Sequence, residues 1–228
     1  MAVEPAINDE WHGVRAIFYD IFAQCFLGRF RTQLKMSEMY NRLTKLQMAA
    51  QTGVVLPHGL LEELKRSLED VKSYSLVIRD WRRLLHPDGA AYLHPYESVY
   101  SAQYKVRSSK ISGQRVEQEV EFFYRHAGID MKKYYEERAD HVGVELAFME
   151  ALIKREIQAK RQGHKSLAHC YTRWQRQFLD NHLGYWFGEF SRQLLAEAST
   201  EFYRVLAKVA WNYVRIDQKI LNSHSTKE

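Results

Sequence analysis

"ERADHVGVELAFMEAL", residues 137–152, is the stretch that decides the fold. Val142, Leu146, Met149, Ile153 and then Ile157 recur four, three, four and four apart, the period of one face of an α-helix. A helix is therefore expected from Asp140 to about Arg161. Asp140 stands just before the apolar run, where a carboxylate accepts hydrogen bonds from the first amides and meets the positive helix end, worth roughly 1 kcal/mol. Capping leaves His141 and Gly143 unexplained, since both are mediocre helix formers where better ones would fit. Gly143 implies a close approach to the first turn, by a bound peptide or by a neighbouring helix.

The same period runs outward in both directions. Asn8 or Asp9 caps a first helix to about Arg31, with Trp11, Ile17, Phe18, Ile21, Phe22 and Phe26 on its apolar face. Further helices are expected over 37–51, 59–73 and 74–85. "HPDGAAYLHPYESVY" (86–100) is the most turn-rich stretch, and Pro95 disfavours helix at His94. After the polar patch "RSSKISGQR" (107–115) a helix resumes through Val116, Val120, Phe123 and Tyr124 and stops at Gly128, a good left-handed cap. Helices over 166–183, 184–197 and 199–222 close the chain. No strand, repeat or low-complexity tract emerges. The reading is all-α: a multi-helix bundle of two closely packed helical halves in one domain, 8–222, with a hinge at about 106–113 between 8–105 and 114–222.

Composition agrees. Four prolines and 11 glycines in 228 residues leave little turn punctuation. With 46% hydrophobic residues the chain can bury a sizeable core and is no disordered segment. The +5 charge is spread among interleaved acids and bases, weak grounds for a nucleic-acid partner. Cys25 and Cys170 lie far apart, outside any metal spacing, as expected of reduced thiols. Glu4, Asp9 and Glu10 occupy the place where a secretory signal needs basic residues and then an apolar run, and no stretch reaches the roughly 18 apolar residues of a membrane span. A cytoplasmic location is the expectation.

Catalytic machinery is not legible. His141 and Glu145 share a helix face and could give two metal ligands, but neither His-Glu-x-x-His nor Glu-x-x-His occurs to complete a site, so no metal is expected. Gly-x-Ser-x-Gly is absent, neither cysteine sits in a catalytic signature, and "GHKS" (163–166) lacks the glycine-rich loop of a phosphate site. "RDWRR" (79–83) and "KREIQAKR" (154–161) read as solvated helix faces.

Several segments together resemble a known family. "RLLHPDGAAYLHPYESVY" (83–100), "FYRHAGID" (123–130) and "DHVGVELAFMEAL" (140–152) are similar to the Pro-Tyr-Glu-Ser-Val-Tyr, Phe-Tyr-x-x-Ala-Gly and Asp-His-x-x-x-Glu-Leu-x-Phe-Met signatures of the TorD/DmsD/NarJ chaperones of molybdoenzyme maturation. "FLDNHLGYWFGEF" (178–190) and "TEFYRVLAKVA" (200–210) fit that family's closing helices. Two places depart: Arg138-Ala139 stand where proline often precedes Asp-His, and His86-Pro87 where Gly-Pro is usual.

The resemblance implies a non-enzymatic, all-helical protein that binds the twin-arginine leader and apo form of a molybdopterin-dependent oxidoreductase subunit, assists cofactor insertion and delays export. It implies no tightly bound cofactor, with molybdopterin guanine dinucleotide met at most in transit, and a monomer or domain-swapped dimer. It places Asp140 and His141 near the leader-binding region, with the loop around Pro95, Tyr96, Ser98 and Tyr100. The chemistry is compatible: a guanidinium favours carboxylates such as Asp140 and Glu145, and an amphipathic leader needs an apolar groove, for which Trp81, Leu84, Leu85 and Tyr100 are candidate linings. Each has a plainer alternative, the apolar ones as core and Ser98 as a cap. A nucleic-acid-binding helical regulator is the competing function, motivated by the basic balance.

Overall fold

The computed structural model describes residues 9–29, 33–50, 59–68, 71–104 and 113–225. Helices take nearly all of them: α1 (Asp9–Phe26), α2 (Gln33–Ala50), α3 (Leu60–Arg66), α4 (Val71–Leu85), α5 (Glu97–Tyr104), α6 (Gly113–His126), α7 (Val142–Arg161), α8 (Lys165–Asn181), α9 (Leu183–Glu197) and α10 (Glu201–Ser225). Only a single-turn 3-10 helix, Met131–Lys133, and one isolated antiparallel bridge interrupt the pattern among the described residues. The fold is an all-α bundle.

Most expected helices are present with shifted ends. α6 stops as its glycine requires: Gly128 takes φ 70°, its N–H donates to Arg125 O, and Ile129 N–H donates to Tyr124 O, the paired bonds of a Schellman cap. α3 is shorter than its sequence suggests, ending at Arg66, where the Ser67 hydroxyl turns back onto Leu64 O at 2.7 Å. α5 is the helix that its turn-rich setting conceals. The expected hinge falls on residues that, up to 112, lie outside the described ones.

α7 is the organising helix, packed between α1 and α8 and touching α9, while α10 lies against α9, α8 and α3. Its first two turns are buried, with Val142, Val144, Leu146 and Phe148 inside. Gly143 answers its own question here. A Cβ at this position would stand 2.5 Å from Leu27 Cγ and 3.3 Å from Ala23 O, so the close neighbour is the end of α1. One contiguous apolar cluster joins α1 to the C-terminal helices, with Phe18 stacked on Tyr213 and Phe26 edge-on to Phe187 and Phe190.

A polar network fastens the same helices. Buried Arg15 (α1) donates to both carboxylate oxygens of Asp217 (α10), at 2.6 and 2.8 Å, and to Gln175 Oε1 (α8) at 2.8 Å. Tyr19 OH also donates to Asp217. Gln175 passes the chain on to Glu156 (α7), which is 2.7 Å from Lys160 Nζ and 3.4 Å from His12 Nε2. Two cations face two carboxylates, and every polar end has a partner. Burial, with Arg15 and Lys160 nearby, holds the His12 pKa down to about 4, against a smaller pull from Glu156.

Candidate functional site

Where the chain passes from the loop after α4 into α5, His94 adopts φ 49°, the left-handed region that β-carbon sterics disfavour, directly before Pro95. This strained corner brings Tyr96 against His141 as an antiparallel bridge. Glu97 N–H donates to Asp140 O and Val142 N–H to Pro95 O, both at 2.9 Å. Two motifs some 40 positions apart in the chain thus form one seam at the heads of α5 and α7.

The seam corrects the expected capping. The residue that caps α7 is His141, not Asp140: extended at φ −75°, ψ 132°, it accepts the Gly143 N–H on Nδ1 at 3.0 Å. Asp140 is one residue too early, because its own carbonyl is spent on the bridge. Its carboxylate turns to the other helix, where Oδ2 accepts the Ser98 N–H at 3.1 Å and caps α5 from outside the segment. Arg138 completes the arrangement. Its guanidinium lies 3.1 Å from Asp140 Oδ1 and 3.1 Å from Glu117, donates to the Ser98 hydroxyl, and stacks over the Tyr96 ring. Burial holds the His141 pKa down to about 3, so the ring is neutral at physiological pH and keeps its Nδ1 lone pair for the cap. An imidazolium contact to a partner is not available from this position.

Beneath the seam lies a carboxyl pair. Glu145 and Glu97 are both fully buried. Glu145 Oε2 accepts the Trp186 indole N–H at 3.0 Å, while Oε1 has no donor. Burial, then the neighbouring Glu97 charge, pushes the Glu145 pKa well up, against a smaller pull from Trp186. The neutral acid is favoured. Glu97 Oε2 in turn lies 2.9 Å from His182 Nδ1, at the α8–α9 joint. Asp140 Oδ1 and Glu145 Oε1 are two of the three buried side-chain atoms without a hydrogen-bond partner among the described residues, the third being Ser191 Oγ.

Of the residues singled out in the sequence, Asp140, His141, Glu145, Pro95, Tyr96 and Ser98 come together at this seam. Tyr100 joins from the side, stacked on Trp186 and donating to Leu93 O. Trp81, Leu84 and Leu85 are core residues of α4, Trp81 donating its indole N–H to Phe26 O at 3.1 Å. Sequence reasoning passed over Glu97, Arg138 and His182. Glu97 stands inside the quoted Pro-Tyr-Glu-Ser segment and His182 inside "DNHLGYW", so the signal was a buried-capable ionisable residue in a matched motif. Among the described residues, no group of three or more His, Cys, Asp or Glu side chains could hold a metal ion, and no helix is long and apolar enough to cross a membrane.

His182, itself buried, also borders the surface. It lines a solvent-open groove of about 1060 Å³ between α6 and the α8–α9 joint, with Phe122, Phe123, Asp180 and Tyr185 among its walls.

A family model described as nitrate reductase delta subunit matches residues 56–192, a span containing both arms of the seam. The chain belongs to that family, the NarJ/TorD type of chaperone that its motifs resemble. It is also similar to a perchlorate reductase assembly chaperone protein of Dechloromonas aromatica (strain RCB), 32% identical over 96 residues. That match spans 42% of this chain and 42% of the relative, less than half the length of either.

Proposed function

We propose that this protein is a cytoplasmic maturation chaperone for a molybdopterin-dependent oxidoreductase subunit, binding its twin-arginine leader and apo form, assisting cofactor insertion and delaying export. The observation that carries the reading is the seam: the two motif segments shared with the family meet at one bridge, over a buried excess of carboxyl groups. In this reading the protein catalyses no reaction and holds no tight cofactor, meeting molybdopterin guanine dinucleotide only in transit. Asp140, His141 and Glu145 act from below, by holding the heads of α5 and α7, since all three are buried.

Calorimetric titration with a synthetic leader from a neighbouring molybdoenzyme tests this, beside an Arg-Arg→Lys-Lys control. Micromolar or tighter binding that weakens with the lysine swap supports the reading, and absence of heat with every leader from the host overturns it. A nucleic-acid reading draws on one observation, the exposed stripe of Lys165, His169 and Arg173 on α8. Steeply salt-dependent binding to random DNA or RNA, with indifference to leaders, would select it instead.

A further inference from the structure

We propose that Arg138 is a built-in competitor: it fills, from within the chain, a guanidinium seat on Asp140, Glu117 and Tyr96, and must swing out before a partner's arginine enters. The proposal rests on the leader-binding reading and adds to it a contact by which the chain blocks itself. Arg138 belongs to the Arg138-Ala139 pair that replaces the proline often found before Asp-His, so the contact is a property of this chain.

The seat draws on three parts of the fold. Asp140 stands in the seam before α7, Glu117 on α6, and Tyr96 and Ser98 at the head of α5. The two carboxylates face one cation, Arg138, and among the described residues no other cation pairs with either. Asp140 is fully buried beneath it, and its Oδ1 accepts no hydrogen bond. With Arg138 out, both carboxylates are left uncompensated, a costly state at a buried position. The site therefore selects a cation, and its present occupant is a guanidinium.

That occupant fits loosely. Nη2 donates to Asp140 Oδ2 at 3.2 Å and to Ser98 Oγ at 3.1 Å. Nε lies 3.1 Å from Asp140 Oδ1 and 3.1 Å from Glu117 Oε2, yet hydrogen-bonds to neither. Arg138 is tethered two positions from Asp140, which restricts the angle from which it approaches. A guanidinium from another chain is free of that tether and can set two parallel N–H bonds on one carboxylate. Leaving also costs little. The Arg138 side chain is 44% exposed, and ion pairs so open to water contribute little to stability. The seam stays intact without it, because Ser98 N–H reaches Asp140 Oδ2 directly and the bridge is made by backbone groups. The Tyr96 ring, 4.9 Å from the guanidinium carbon, is then open to the next guanidinium.

The test uses the full chain as wild type, Arg138→Ala and Arg138→Gln, each checked by circular dichroism for wild-type helix content. Arg138→Gln keeps an amide donor beside Asp140 and carries the test if the alanine variant does not fold. A site blocked part of the time binds with its affinity reduced by that fraction, so both variants are expected to bind a twin-arginine leader roughly threefold or more tightly in calorimetric titration. The vacated seat is then probed without the leader. Millimolar methylguanidinium chloride is expected to raise the melting temperature of the variants above that in equal methylammonium or sodium chloride, and to leave the wild type unmoved. Weaker leader binding by both variants makes Arg138 a support of the site and overturns the proposal. Affinities within about twofold of the wild type, or no methylguanidinium effect beyond the control salts, overturn it and leave the chaperone reading standing. Absence of leader binding by all three proteins overturns the chaperone reading and, with it, the competitor role.

Discussion

Two buried polar clusters in this molecule carry similar kinds of side chain and reach opposite balances. The network of Arg15, Asp217, Gln175, Glu156 and Lys160 sets two cations against two carboxylates across four helices and satisfies all of them. The cluster under the seam collects three carboxyl groups, Glu97, Asp140 and Glu145, with one partly exposed guanidinium, Arg138, and leaves two oxygens without hydrogen bonds. Burying charge is costly unless it is paired, and a lone buried carboxyl escapes the cost by taking a proton. The first cluster therefore reads as a fastening, and the second as stored polarity beside a groove.

The sharpest way to break this contrast is Asp217→Ala, which strands Arg15 in the interior. It is expected to cost about 3–5 kcal/mol in denaturant unfolding, as for one partner of a buried pair. A loss below about 1 kcal/mol would mean that water or a rearrangement rescues Arg15, and that the network is no fastening.

Acid comes next. His12 and His141 have folded pKa values lowered to about 4 and about 3. The unfolded chain binds their protons below about pH 6.5 and the folded chain does not, so stability falls as pH drops from 6.5 towards 4, by up to about 1.4 kcal/mol per unit for each. His141→Asn keeps a capping oxygen and is expected to flatten that fall; an unchanged slope would show that His141 does not contribute.

Gly143→Ala drives a methyl into Leu27 and is expected to cost about 1–3 kcal/mol by thermal or urea unfolding. Asp140→Ala removes a cap from α5 rather than from α7, at about 1–2 kcal/mol. Hydrogen exchange distinguishes the two helices: α5 amides should lose protection first, and loss confined to the head of α7 would reverse the assignment.

Glu145→Gln has the smallest expected effect and separates the clusters most cleanly. A raised folded pKa gives stability that is complete below about pH 4.5 and lost as pH rises through the folded value. The glutamine variant has no proton to lose, so at pH 8 it should match or exceed the wild type by about 1 kcal/mol. Destabilisation by several kcal/mol would show that the carboxyl pair has a partner the structure does not provide.

The sequence carried the helices well wherever a single face is apolar, as in α7, and wherever a glycine must turn left-handed, as at Gly128. It misjudged α5, whose head follows a proline in a turn-rich stretch and draws its cap from residue 140, beyond any local window. The Asp-His pair was legible as special and misassigned in detail. Spacing within one segment suggested that Asp140 serves its own helix, and the bridge to Pro95 and Glu97 assigns that work to His141 instead.

What the sequence determined by itself is the helical class and the family, because periodicity and motif order are local properties that survive without coordinates. What the tertiary structure decided is which polar residues share a space. Glu97, Glu145 and His182 come from three elements and acquire their meaning only together, since the cost of a buried charge depends on neighbours that the chain brings in from 37 to 85 residues away.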